Sequence, residues 1–208
     1  MKTPDFFNDV PSITMSDPLS RLLGAAEKGI LTYTYEDIVK LAGHSCPTVA
    51  GAYLMVRKGV TELYGEDTPV RGEIKIQMRG KLGEGTIGVV ANVASMITGA
   101  AQSGGFHGLG GMFDRRGLLC FDADIEGEMV LERVDTQERV ILSYNPSMVP
   151  VEGEMGELLP LIISGRAEAS AVETFGIMWQ DRVKKILIDH REDPRLVQCR
   201  YYQGGEKE

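Results

Sequence analysis

Basic charge and long apolar runs are what this sequence lacks. Of 208 residues, 22 are Lys or Arg against 30 Asp or Glu, a formal net charge of −8. A surface of that sign repels phosphate backbones and anionic headgroups, so neither nucleic acid nor a membrane is an expected partner. No stretch approaches the roughly 20 continuous apolar residues that a membrane-spanning helix needs. The opening run, MKTPDFFNDVPSITMS, carries two prolines and two aspartates where a signal peptide has an apolar core, which makes the cytoplasm the expected compartment. Cysteine is scarce as well. Cys46, Cys120 and Cys199 are odd in number and widely spaced, so they form no disulfide framework, and any cysteine chemistry is that of a thiol or a metal ligand. No Walker-type GK[ST] occurs, and the G-x-x-G-x-G order from Gly105 is not a dinucleotide fingerprint.

What is present fits an ordinary folded chain, with 43% hydrophobic and 25% charged residues. A chain of this length buries roughly 70% of its unfolded surface, enough for a core without cross-links. With no internal repeat or linker, it reads as one unit: an arm and helix over 1–32, a main domain over 33–190 and a C-terminal segment over 191–208. Asp17 and Pro18 open a helix whose Leu19, Leu22, Leu23 and Ala26 should pack on the body before Gly29 stops it. Thr34 and Asp37 form a capping box for a short helix that Gly43 ends, and Pro47 starts a second helix running to Gly65, slimmed by Ala50, Gly51 and Ala52. Residues 70–79 alternate, with Val70, Gly72, Ile74, Ile76 and Met78 on one face of a half-exposed strand. A helix through Val89, Val93 and Ile97 follows, then a glycine-rich stretch over 99–111. Short strands come next at 118–122, 128–134 and 139–144, for which antiparallel pairing is the economical arrangement. Two helices over 156–164 and 168–189, the second burying Val172, Phe175, Trp179, Val183 and Ile186, precede an edge strand at 196–202. The fold class is α+β, a mixed or antiparallel sheet flanked by helices.

The sharpest chemical feature is His44-Ser45-Cys46-Pro47, which holds one of three histidines and one of three cysteines in the break between two helices. A helix N-terminus offers free N–H groups and the positive end of the helix dipole, an environment that favours a thiolate. Cys46 is therefore a candidate metal ligand or nucleophile, with His44 as co-ligand or base. The bland alternative is a histidine supporting the break and a small buried cap. His107, in the glycine-rich loop, is the best remaining imidazole for a site near Cys46. Cys120 reads as a small core hydrophobe, while Cys199 and His190 share no ligand spacing. Asp114, Arg115 and Arg116 read as a turn or subunit contact, with capture of a substrate anion as the alternative.

The run YEDIVKLAGHSCPTVAGAYLMV resembles the GHxCPG signature of the FmdE-like family, which takes its name from a component of formylmethanofuran dehydrogenase. The likeness continues through ITGAAQSGGFHGLGGMFDRRGLLCF, similar to that family's TGC-x-x-GKGN segment, and through ISGRAEASAVETFGIMWQDRVKKIL, similar to its C-terminal helix. It covers roughly 33–190. Departures are specific: Thr48 stands where the motif has glycine, Ala100 where it has the TGC cysteine, and Asn92 and Ser95 where its Asp and Gln would fall. The resemblance implies a domain similar to the catalytic domain of glyceraldehyde-3-phosphate dehydrogenase, paired as a homodimer. It also implies a divalent metal, zinc ahead of copper or nickel, held by His44 and Cys46. With no cysteine at 100, the site would be open, completed by His107, water, a small-molecule ligand or a partner chain. The family name refers to a molybdenum or tungsten enzyme complex of one-carbon metabolism, which establishes no reaction here.

Two other readings stay open: a metal-free thiol enzyme using Cys46 with His44, and a non-enzymatic accessory protein whose metal is structural. Phe106, Leu109, Met112 and Phe113 crowd the 104–116 region with apolar surface, which makes it the expected contact of a two-fold dimer.

Overall fold

Local chemistry sets most element boundaries. In the computed structural model, which describes residues 3–204, Thr34 and Asp37 close the expected capping box on α2 (Tyr35–Ala42), and Gly43 ends it in a left-handed conformation with φ 76°. Pro47 occupies the first turn of α3 (Pro47–Tyr64), which stops at Gly65. α3 is buried on nearly every side and lies across the sheet, packed also on α4 (Ile87–Thr98) and α2. A helix that is apolar all round belongs inside.

The sheet has five strands in the order β4-β3-β5-β6-β7. β3 (Ile74–Met78) buries Ile74, Ile76 and Met78 as the alternation requires. β5 (Met129–Arg133), β6 (Arg139–Tyr144) and β7 (Val197–Tyr202) continue antiparallel from it, with Ile76 opposite Leu131, Met129 opposite Leu142 and Tyr144 opposite Val197. Among the short strands, for which antiparallel pairing was the expectation, β4 (Leu119–Cys120) departs: it pairs parallel to β3, Ile76 against Leu119, and β3 separates it from β5. The physical reason is the connection. The chain between β3 and β4 includes all of α4, and a parallel pair needs a crossover of that kind. α5 (Gly153–Ile163) and α6 (Ala169–Lys184) pack on one another, and a wider π-helical turn, Lys185–Asp189, leads back to β7. The structure is α+β, a mixed five-stranded sheet flanked by helices, and no described helix is long and apolar enough to cross a membrane.

The N-terminal arm departs from expectation. β1 (Ile13–Ser16) and β2 (Ile30–Tyr33) form an antiparallel pair that the sequence pattern did not reveal, since each is only four residues long. Phe7, Val10, Ile13 and Met15 enter the same core as the main domain, and the Tyr53 hydroxyl on α3 lies 2.8 Å from the Pro11 carbonyl and 3.1 Å from that of Tyr33. The helix expected through residue 29 ends early. α1 (Pro18–Leu22) buries none of its residues, and Leu22 and Leu23 are exposed. The chain turns there, with Gly24 at φ 68°, so that β2 can return beside β1. Val172 is likewise exposed, because the N-terminal half of α6 stands away from the core and only Val183 of that helix is fully buried. Residues 205–208 of the expected C-terminal segment lie outside the described residues.

A buried ion cluster joins distant parts of this chain. Asp17 caps α1 by accepting from the Leu19 and Ser20 N–H groups, and it also holds Arg71 Nη1 at 3.0 Å and Arg115 Nη2 at 2.9 Å. Arg71 reaches on to the Met96 carbonyl at the end of α4. The guanidinium of Arg115 lies where a Cβ on Gly72 would sit and crowds Gly99, so both positions need glycine; each also has positive φ, 88° and 76°. Gly72 and Arg71 thereby help take residues 70–73 out of the expected strand, and β3 starts only at Ile74. Burial alone would raise the Asp17 carboxyl. The Ser20 N–H, the hydrogen bond from Arg71 and the charges of both arginines outweigh it and hold the group below 3.8. A depressed carboxyl contributes stability above its unfolded value and loses it as pH falls through the folded one. Asp17→Asn is therefore expected to cost roughly 3–5 kcal/mol at pH 7, since it strands two arginines. In urea denaturation the gap to wild type should narrow below pH 3.8.

Candidate functional site at the break between α2 and α3

Three residues separate the left-handed end of α2 from the start of α3, and the chain crosses them sharply. Cys46 is the cap of α3: its extended backbone ends the turn, and its Sγ accepts from the Val49 N–H at 3.4 Å. His44 is exposed, with Nδ1 2.9 Å from the Ala42 carbonyl. A carbonyl oxygen only accepts, so Nδ1 is the donor in this contact; in the neutral ring Nε2 then holds the lone pair, an arrangement in which it can ligate a metal or accept a proton. His44 borders a small cleft of about 120 Å³ between α2 and α4, lined also by Leu41, Ala42, Val89, Asn92 and Val93. Asn92 thus lines the same cleft as His44.

Ser45 is held from three directions. Its hydroxyl lies 3.0 Å from the Tyr35 hydroxyl, and its carbonyl accepts from Trp179 Nε1 at 3.0 Å and Gln180 Nε2 at 3.1 Å. Tyr144 on β6 flanks the same region, its ring packed on Gly51 one turn into α3. Burial pushes the Tyr35 and Tyr144 phenols well above 10, and the nearby Cys46 adds a smaller contribution, so both stay protonated donors at neutral pH. Two polar atoms here are buried without a hydrogen-bond partner among the described residues: the Tyr144 hydroxyl and Gln180 Oε1. Such groups cost stability unless something pairs with them.

The other expected site residues fall elsewhere. His107 is exposed in the glycine-rich loop near Asp114, whose carboxyl the Arg116 hydrogen bonds draw down to about 2 with a minor further pull from His107. Among the described residues, no group of three or more His, Cys, Asp and Glu side chains is placed to hold a metal ion, so one chain does not gather His44, Cys46 and His107 as a set. Ala100 is fully buried, its carbonyl accepting from Ser95 Oγ. Of the charged knot, Arg116 pairs with Asp114 while Arg115 turns inward to Asp17. Cys120 donates from Sγ to the Ile76 carbonyl, a packing role. Cys199 is half-buried, its thiol pushed up to about 11 chiefly by burial.

Neither a protein-family model nor a curated protein matches the sequence. The positioning residues Tyr35, Tyr144, Trp179 and Gln180 were not legible as such. The one available signal was that Trp179 is the only tryptophan. Trp179→Phe and Gln180→Ala each remove one of two donors to the Ser45 carbonyl and should cost about 0.5–1.5 kcal/mol singly in urea denaturation. The double variant should cost more than their sum, because only then does the shared acceptor lose both donors.

Proposed function

We propose that this chain is a metal-binding protein of the FmdE-like type that works as a homodimer, with His44 and Cys46 as its own ligands to a divalent ion, zinc first. The observation that carries the reading is the His44 contact: Nδ1 lies 2.9 Å from the Ala42 carbonyl, which turns Nε2 to other partners two residues from the thiol that caps α3. The residues present fit part of such a site. Two donors fall short of the three protein ligands of an open zinc centre, so the rest would come from water, a bound small molecule or a second chain, with His107 of that chain as the nearest chemical match. A divalent ion held there would polarise a bound ligand or lower the pKa of a bound water. The chain's own contribution is positional: Trp179, Gln180 and Tyr35 lock Ser45, which fixes the direction from which His44 and Cys46 are presented. The exposed Phe106, Leu109 and Met112 of the 104–116 loop support a chain–chain contact in that region. Elemental analysis of protein purified without chelators should find stoichiometric metal in wild type and loss of it in both His44→Ala and Cys46→Ala. A metal-free wild type would overturn the reading.

A specific observation favours a second reading, a thiol enzyme. The Cys46 sulfur accepts an N–H at the start of an 18-residue helix, the position at which a thiolate is best solvated by backbone dipoles. Under that reading iodoacetamide labels Cys46 ahead of Cys120 and Cys199 at neutral pH. Cys199, with its thiol near 11, serves as the slow internal standard. Equal, slow labelling at all three positions would discard it.

A further inference from the structure

We propose that the cleft between α2 and α4 seats the aliphatic tail of a small carboxylate whose head group completes the open metal site at His44 and Cys46. The inference rests on the metal-binding reading and names the class of small molecule that supplies the ligands one chain lacks.

Volume sets the size of that molecule. The cleft holds about 120 Å³. A water molecule takes about 30 Å³ of liquid, so this space accepts roughly four non-hydrogen atoms. Drug-sized ligands fill pockets of about 300–1,000 Å³ and are excluded on volume alone.

The walls set the chemistry of the tail. Leu41 and Ala42 come from the last turn of α2, and Val89 and Val93 from α4, four residues apart and so one above the other on a single face. Val93 is buried and forms the floor, while Leu41 is 46% exposed at the mouth. An aliphatic lining gains free energy from an alkyl chain that displaces water and leaves a second polar group without a partner.

The head is argued from the two polar residues that remain. His44 and Asn92 are the only polar side chains in the lining, and no carboxylate is among them. In a chain of net charge −8, such a cleft is a place where an anion meets no nearby repulsion from the wall. His44 belongs both to the cleft and to the proposed ligand pair. With one thiolate and one neutral imidazole as its ligands, a divalent ion retains a single positive charge. A carboxylate offsets that charge and supplies one or two of the missing oxygen ligands. Asn92 is exposed, and its side-chain amide has no hydrogen-bond partner among the described residues. Its N–H groups are the donors available to a carboxylate oxygen, a charge-assisted bond.

Calorimetric titration of the zinc-loaded chain with acetate, butyrate and hexanoate tests the assignment, with zinc content measured on the same samples. Wild type is expected to bind butyrate about 15-fold more tightly than acetate, two methylenes at about fourfold each. Hexanoate should show no matching gain, because its five-carbon tail outgrows a space of about four atoms. Val89→Phe fills the cleft from α4 and should remove the chain-length gain while leaving acetate affinity and zinc content unchanged. Leu41→Ala, at an exposed position, should reduce the gain, and it decides the matter should Val89→Phe fail to fold. Asn92→Ala should weaken binding of all three acids about tenfold with the gain intact. Butyramide, which has the same tail and no charge, should bind at least about tenfold more weakly than butyrate. Zinc-loaded protein that shows no chain-length gain, or a gain that survives both cleft variants, would overturn the cleft assignment and leave the metal reading standing. Butyramide bound as tightly as butyrate would overturn the carboxylate head. A wild type that takes up no zinc would overturn the metal reading and this proposal with it.

Discussion

The close approach of α3 to the sheet is the constraint on which the rest of the structure depends. Two glycines eight residues apart on that helix make it possible. A Cβ on Gly59 would stand 2.6 Å from Leu131 and 2.9 Å from Leu142, and one on Gly51 would enter the ring of Tyr144. Side chains at those contacts would lift the helix from β5 and β6, at the cost that overpacking carries in a dense core. Glycine inside a helix is itself unfavourable by about 1 kcal/mol relative to alanine, so the packing must return more than that. Once α3 lies against the strands, its N-terminus, and with it Cys46, is placed beside Tyr35 and Tyr144.

The second organising feature is electrostatic and lies at the other end of the core. Asp17 draws Arg71 and Arg115 into one cluster and so ties the arm, the entry to β3, the end of α4 and the glycine-rich loop together. Arg115 Nη1 and Arg71 Nε remain without partners among the described residues, and two guanidiniums, that of Arg115 buried and that of Arg71 partly exposed, share a single carboxylate. Burying such a charge is expensive. The same cluster forbids side chains at Gly72 and Gly99, which explains why the expected strand loses its first residues.

Site and surface meet on α6. Its inner turn supplies the two donors to the Ser45 carbonyl, while Ile177 on the same helix is exposed. A donor pair of one exposed imidazole and one capping thiol is incomplete as a metal centre within one chain, and completion by a second chain would join assembly to chemistry.

Legibility followed range. The Thr34–Asp37 box, the left-handed Gly43, the first-turn Pro47 and the alternation of Ile74, Ile76 and Met78 are decided by residues within a few positions of one another, and each was readable because propensity, capping and periodicity act locally. The His-Ser-Cys break was legible for the same reason. What surrounds it was not. Trp179 meets Ser45 across 134 residues and Arg115 meets Asp17 across 98, and no local rule links positions so far apart. The four-residue strands β1 and β2 gain their stability from one another and from the core, so neither shows a pattern of its own. The sequence by itself determined where α2 and α3 begin and end, which face of β3 is buried, and that a histidine and a cysteine share one turn. Only the tertiary structure decided the parallel β3–β4 pairing, the shared charge of Asp17, the donors on Ser45 and the exposed face of α6, because each depends on which distant surfaces packing brings into contact.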